Sequence, residues 1–103
     1  MKELYELEEF EKQERSPFGD WFERLNAVAA AKITTALTRL KEGKHSNAKS
    51  VGSGVAEYKV DFGPGYRIYF GKDGDKLIIL LCGGDKKSQR GDIQKSQRIL
   101  AGL

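Results

Sequence analysis

Between residues 59 and 89 the chain carries Lys59, Arg67, Tyr69, Lys86, Lys87 and Gln89, side chains whose chemistry suits a phosphate. Arginine offers a planar fork that donates two parallel hydrogen bonds to a phosphate and stays charged. Tyrosine hydrogen-bonds a phosphate or stacks on a base, the stacking being worth about 1 to 3 kcal/mol. Lysine neutralises phosphates or, when crowded, exchanges protons. Lys49, in a polar stretch upstream, adds a cation for a nucleic-acid backbone. Such groups are sufficient for cleavage of RNA by in-line attack of a 2′-hydroxyl. That reaction needs a proton acceptor for the hydroxyl, cations for the pentavalent phosphorane and an acid for the leaving 5′-oxygen, and it needs no metal. The same residues also support a purely structural reading, in which Asp61 and Arg67 make a cross-strand ion pair and Tyr69 is half-buried packing.

Other chemistries lack their residues. One His and one Cys give no pair at metal-ligand spacing, so neither a metal nor another cofactor is expected. No serine-nucleophile motif and no Walker-type phosphate loop is present. His45 could act as a base, but nothing near it in sequence would orient it, and it reads as a solvated loop histidine. The glycines of "GPG" and "CGG" read as turns.

The elements that must position these groups follow from periodicity. "LYELEEF" partly alternates, with Tyr5 and Leu7 on one parity, and reads as a first strand. Ser16-Pro17 is a helix start, Ser capping and Pro in the first turn. Trp21, Leu25, Val28, Ala29, Ile33, Ala36, Leu37 and Leu40 then recur at helical spacing up to Lys41 and Gly43. One helix over 17–42 would be long for a domain this small, and Asn26 offers a break that would make an α-hairpin. Residues 43–54, polar and glycine-rich, read as a loop. In "VAEYKVDF" and "YRIYF" the even positions are the apolar ones, so these two sets must share a sheet face. Pairing Phe62 with Tyr66 across Gly63-Pro64-Gly65 satisfies this and places Lys59 opposite Tyr69 and Asp61 opposite Arg67. Asp73-Gly74 marks a second turn. "KLIILLC" does not alternate and reads as a central strand covered on both faces. A C-terminal helix follows, with Asp85 or Ser88 as cap, Ile93, Ile99 and Leu100 as its contacts, and Gly91 weakening its start by about 1 kcal/mol. The expected class is α+β: an antiparallel sheet packed against an N-terminal α-hairpin, with a C-terminal helix, in one domain over 1–103.

Composition narrows the setting. A chain of 103 residues with 39% apolar and 32% charged residues suits a soluble single-core domain. The run Leu77 to Cys82 is too short for a membrane span, and "MKELYELEEF" has no apolar signal-peptide core. With Cys82 the lone cysteine, a reducing cytoplasm is the simplest home. Residues 1–14 hold six Glu against two Lys, while residues 86–98 hold five Lys or Arg against one Asp. The C-terminal end is therefore a candidate polyanion-facing surface, although basic solvent faces are common on amphipathic helices.

"GSGVAEYKVDFGPGYRIYFGKDGDKLIILLCGGDKKSQRGDIQKSQ", residues 52–97, closely resembles the signature half of small toxins of the RelE/ParE superfamily, and more narrowly its HigB-like addiction-module killer proteins. "SPFGDWFERLNAV…RLKEG" resembles the helical hairpin of that family, so the likeness spans nearly the whole chain. It implies the RelE-type fold, in β-α-α-βββ(α) order, and the role of toxin in a type II toxin–antitoxin pair. The implied partner is an antitoxin with a helix-turn-helix domain, through which alone DNA would be contacted. The implied activity is metal-independent endoribonuclease cleavage of mRNA on the ribosome. By position, Arg67 matches the family's strand arginine and Lys59 a basic position on the preceding strand. Lys86, Lys87 and Gln89 lie where relatives place basic or tyrosine residues used in catalysis. The C-terminal tyrosine of several ribosome-dependent relatives is absent, which leaves Lys87 or Tyr69 for proton transfer. ParE-type relatives on the same fold inhibit DNA gyrase without being enzymes, and a decayed toxin would bind only its antitoxin, so two further functions stay open.

Overall fold

The computed structural model of the protein describes residues 4–103. The elements run β1 (Glu6–Glu9), α1 (Pro17–Glu23), α2 (Ala27–Lys41), β2 (Ala48–Ser50), β3 (Ala56–Val60), β4 (Tyr66–Asp73), β5 (Leu77–Gly84) and α3 (Gln89–Ala101). The class is α+β: five strands in the order β1-β5-β4-β3-β2, with α1 and α2 packed on one face and α3 on the other. Strands β2 to β5 form an antiparallel meander, while β1 joins the edge parallel to β5.

Local chemistry sets the helix boundaries. The Ser16 hydroxyl accepts from the Gly19 amide at 2.9 Å, satisfying one orphan donor of α1 beside Pro17. The helical run then breaks at Asn26, whose side-chain oxygen accepts from the Ala29 amide at 2.9 Å and so caps α2. The hairpin alternative is the one the chain adopts. Gly43, at φ +79°, closes α2 in the left-handed conformation glycine tolerates.

The sheet is covered on both faces. Ile33, Ala36 and Leu40 of α2 and Phe18 of α1 bury Tyr58, Ile68, Phe70, Ile78 and Leu80. On the other face Val55, Tyr69, Leu81 and Cys82 form a second core beneath Ile93, Ile99 and Leu100 of α3. Strand β5 lies between β1 and β4, which accounts for its continuous apolar run. A bulge interrupts its pairing with β4, Tyr69 facing Cys82 but Phe70 facing Leu80. Leu81 and Cys82 therefore both enter the second core, and the facing of every later residue is reset.

Three expectations are corrected. Gly83 and Gly84 lie in β5, not in a turn: a Cβ on Gly83 would stand 2.2 Å from the Trp21 ring, and one on Gly84 1.8 Å from Asp92 Oδ2. The loop over 43–54 contains a strand, β2, too short to show a periodicity of its own. The β3–β4 register is displaced by two residues, with Val60 opposite Tyr66, Lys59 opposite Arg67 and Glu57 opposite Tyr69. The reason lies in the turn. The Gly65 amide donates to the Phe62 carbonyl at 3.1 Å, closing a local turn over 62–65 that withdraws Phe62 from the ladder. A shift of two preserves parity, so the shared apolar face is unchanged.

Candidate functional site

Charged side chains of β2, β3 and β4 converge at the end of the sheet that the α3 contacts leave open. A groove of about 310 Å³ there is lined by Ser46, Asn47, Ala48, Lys49, Glu57, Lys59, Asp61 and Arg67. Its organising residue is Glu57, a carboxylate only 2% exposed. Glu57 Oε2 accepts from the Tyr69 hydroxyl at 3.1 Å and from Gln89 Nε2 at 2.8 Å. Arg67 Nε lies 3.7 Å from the same oxygen, and Lys49 Nζ 3.9 Å from Oε1. One buried anion thereby gathers Arg67, Tyr69, Gln89 and Lys49 from β4, α3 and β2. A buried carboxylate is tolerated where donors and cations surround it in this way.

Arg67, 6% exposed, lies against the turn. Its Nη1 donates to the Gly65 carbonyl, and its Nε is buried with no hydrogen-bond partner among the described residues. Of five guanidinium donors, one is engaged in a hydrogen bond among the described residues. The expected Asp61–Arg67 ion pair does not form. Asp61 instead pairs with exposed Lys59 at 3.4 Å, because the two-residue register shift moves it off the ladder.

The other expected residues divide by position. Lys86 is exposed beside the turn, its amide 3.4 Å from the Pro64 carbonyl, and so borders Arg67. Lys87 is exposed, and among the described residues no contact ties it to the groove. Tyr69 needs a correction as a proton-transfer group: it is 0% exposed, its hydroxyl spent on Glu57 beneath α3, so it acts on the site only through that carboxylate. Burial first, and then the Glu57 charge, push its hydroxyl pKa well above the ordinary tyrosine value. His45 is half-buried rather than solvated. Its Nε2 lies 3.0 Å from the Leu40 carbonyl and its ring 5.1 Å from the Tyr5 ring, contacts that close the end of α2. Among the described residues no cluster could hold a metal ion, and no helix is long and apolar enough to cross a membrane.

The β5–α3 joint supports Gln89 from behind. Ser88 donates its hydroxyl to Asp92 at 2.5 Å, and its amide donates to Asp85 Oδ1 at 3.0 Å. Burial raises the Asp92 pKa, and the Ser88 hydrogen bond and Lys95 oppose that shift. Cys82 Sγ sits 2.9 Å from the Ser96 hydroxyl, and burial pushes the thiol from 9.0 up to about 11. A group whose folded pKa is raised keeps its stabilising protonated form below the unfolded pKa and loses that advantage as pH rises through the folded one. Tyr69 shifts in the same direction. The urea midpoint is therefore expected to fall as pH climbs from about 9 to 11, with the thiol silent to thiolate absorbance at pH 9 in the folded protein. A thiolate titrating near 9 in the native state would contradict this.

Glu57 is the residue that sequence reasoning missed. It sits on the polar parity of β3 beside Lys59, and only the true register, which sets it opposite Tyr69 and Lys49, marks it as the hub.

A family model described as "Phage derived protein Gp49-like (DUF891)" matches residues 20–101, a span that contains the whole groove together with Lys86 and Gln89. A protein of Haemophilus influenzae, described only as uncharacterized, is 42% identical over 81 residues, which cover 78% of this chain and 82% of the relative.

Proposed function

The chain belongs to the phage-derived Gp49-like family, associated in general with toxin–antitoxin systems, and from that premise we propose that it is the toxin of such a pair. The narrower assignment is a HigB-like member of the RelE/ParE superfamily, acting in the cytoplasm as a metal-independent endoribonuclease on ribosome-bound mRNA. Its partner is a helix-turn-helix antitoxin, and DNA is reached only through that partner.

The observation that carries this reading is a guanidinium buried in the wall of a groove that Lys49 and Lys59 also line, with Lys86 beside it and one hydrogen bond, to Gly65, among the described residues. In the proposed reaction the 2′-oxygen bonds to phosphorus, the bond from phosphorus to the 5′-oxygen breaks, and charge builds on the non-bridging oxygens between these events. Arg67 stabilises that charge, and Lys49, Lys59 and Lys86 hold the backbone in line. Glu57 Oε2 is occupied by Tyr69 and Gln89, so the proposed acceptor of the 2′-hydroxyl proton is Oε1, which faces Lys49 Nζ at 3.9 Å. Lys87, exposed in the β5–α3 joint, is the proposed acid for the leaving 5′-oxygen.

Arg67→Lys tests the scheme because it keeps the charge and loses the fork. Cleavage of ribosome-bound mRNA is expected to fall by about 10²-fold or more, with the circular dichroism spectrum unchanged. Intact mRNA with DNA breaks on expressing the wild-type chain would support a gyrase inhibitor instead. Binding to an antitoxin with neither effect would support a decayed toxin.

A further inference from the structure

The groove is not isolated. A second depression of about 240 Å³, lined by Lys32, Thr35, Ala36, Arg39, Asn47, Tyr58, Lys59, Val60 and Asp61, abuts it. The groove lies on the α3 side of the sheet and the depression on the α2 side, and they meet around the sheet edge at Asn47, Lys59 and Asp61, which line both. Lys32, Thr35 and Arg39 recur at helical spacing along that face, all three exposed. Lys32 Nζ lies 5.2 Å from the centre of the Phe62 ring, the aromatic that the local turn withdrew from the ladder. No carboxylate pairs with Lys32 or Arg39 among the described residues, whose ion pairs include Asp61 only with Lys59. Along this track around the edge, Lys32, Arg39, Lys59, Lys49 and Arg67 stand against Asp61 and the buried Glu57, a surplus of positive charge on both sides of the edge.

We propose that this track is an extended subsite for single-stranded RNA, in which Lys32 and Arg39 hold the backbone phosphates of nucleotides flanking those in the groove. The proposal rests on the reading of the chain as an RNA-directed protein and adds a binding surface on α2 that the reaction itself does not use. Lys32 and Arg39 are seven residues apart, about 10 Å along the helix axis. That length lets the two cations bind separate phosphates of one extended single strand. The half-buried Phe62 ring holds Lys32 Nζ in place beside this surface by a cation–π contact. An acidic protein segment would also be attracted to this charge; RNA is favoured because the surface adjoins, through Asn47, Lys59 and Asp61, the groove assigned above to RNA.

The test measures binding of the full chain to single-stranded RNA by fluorescence anisotropy, using a 12-nucleotide and a 3-nucleotide oligomer across a salt series. Both α2 positions are exposed, so Lys32→Ala with Arg39→Ala leaves the core untouched. The double variant is expected to bind the 12-mer roughly tenfold more weakly and to lower the salt slope by about 1.4, two phosphates at about 0.7 each. Binding of the 3-mer is expected to be unchanged. If the double variant matches the wild type on the 12-mer while Arg67→Lys weakens it, the subsite is refuted and the functional reading stands. If the wild-type chain binds neither oligomer and leaves mRNA intact, both are refuted. Unchanged RNA binding with weaker capture of the antitoxin would assign the α2 face to a protein and overturn the proposal.

Discussion

Replacing Glu57 by alanine is expected to remove most of the protein's stability. The carboxylate is 2% exposed and is the shared acceptor of Tyr69 and Gln89 as well as the counter-charge of Arg67, itself 6% exposed. Breaking a buried ion pair from one side costs about 3 to 5 kcal/mol, because the remaining charge stays buried without its partner. A buried tyrosine hydroxyl left unsatisfied adds about 1 to 3 kcal/mol. Against a total stability of about 5 to 15 kcal/mol for a domain, such a loss brings the folded state close to balance. Glu57→Gln keeps an acceptor for Tyr69 and Gln89 and loses only the charge, so it is expected to be the milder change. Urea titration of the two variants decides the matter. An alanine variant whose midpoint stays within about 1 kcal/mol of wild type would mean that Glu57 is not the hub described here.

The second large effect is expected at Gly83. A Cβ there would meet Trp21 ring carbons at 2.2 to 2.6 Å, and the ring is wedged between Phe18, 5.6 Å away centre to centre, and Tyr66 at 6.0 Å. The half-buried ring can make room only by giving up its packing on Phe18 and Tyr66, so Gly83→Ala is expected to cost about 1 to 3 kcal/mol by overpacking. Shrinking the ring relieves the clash, so the double variant Gly83→Ala with Trp21→Leu is expected to be more stable than the sum of the two single changes. Gly84→Ala makes a nominally closer contact, 1.8 Å to Asp92 Oδ2, yet it is expected to be gentler. That atom is the tip of a flexible side chain and can swing away at the loss of its bond from Ser88. Thermal melts that rank Gly84→Ala as the worse variant would overturn this assignment.

The contrast between neighbouring glycines shows what was legible in the sequence. Local signals were legible, since each depends on a few adjacent residues: the Ser16 cap, the break at Asn26, and the alternation that assigns Tyr58 and Ile68 to one face. Quantities that depend on distant partners were not. Both registers considered keep the same parity, so only the hydrogen bond from the Gly65 amide to Phe62, which shortens the ladder, distinguishes them. That shift of two residues replaced Asp61 with Glu57 as the partner of Arg67. For the same reason Gly83 and Gly84 looked like turn residues: the side chains that require them to be glycine come from α1 and α3. The basic residues on α2 carried no signal of their own, because an exposed Lys or Arg on a helix is ordinary until a groove is found beside it.

The parallel pairing of β1 with β5 has a consequence for synthesis. Glu9 faces Leu80, and the nearest residue of β5, Leu77, lies 68 positions along the chain from it. At about 5 to 20 residues per second, the first strand waits roughly 3 to 14 s for the strand it joins. During that wait there is no sheet centre for β1 to join, and Gln89, which completes the shell around Glu57, is made later still. The nascent chain is thus assembled around its last third. Any protein that meets it on the translating ribosome meets an unfinished sheet, before the groove exists.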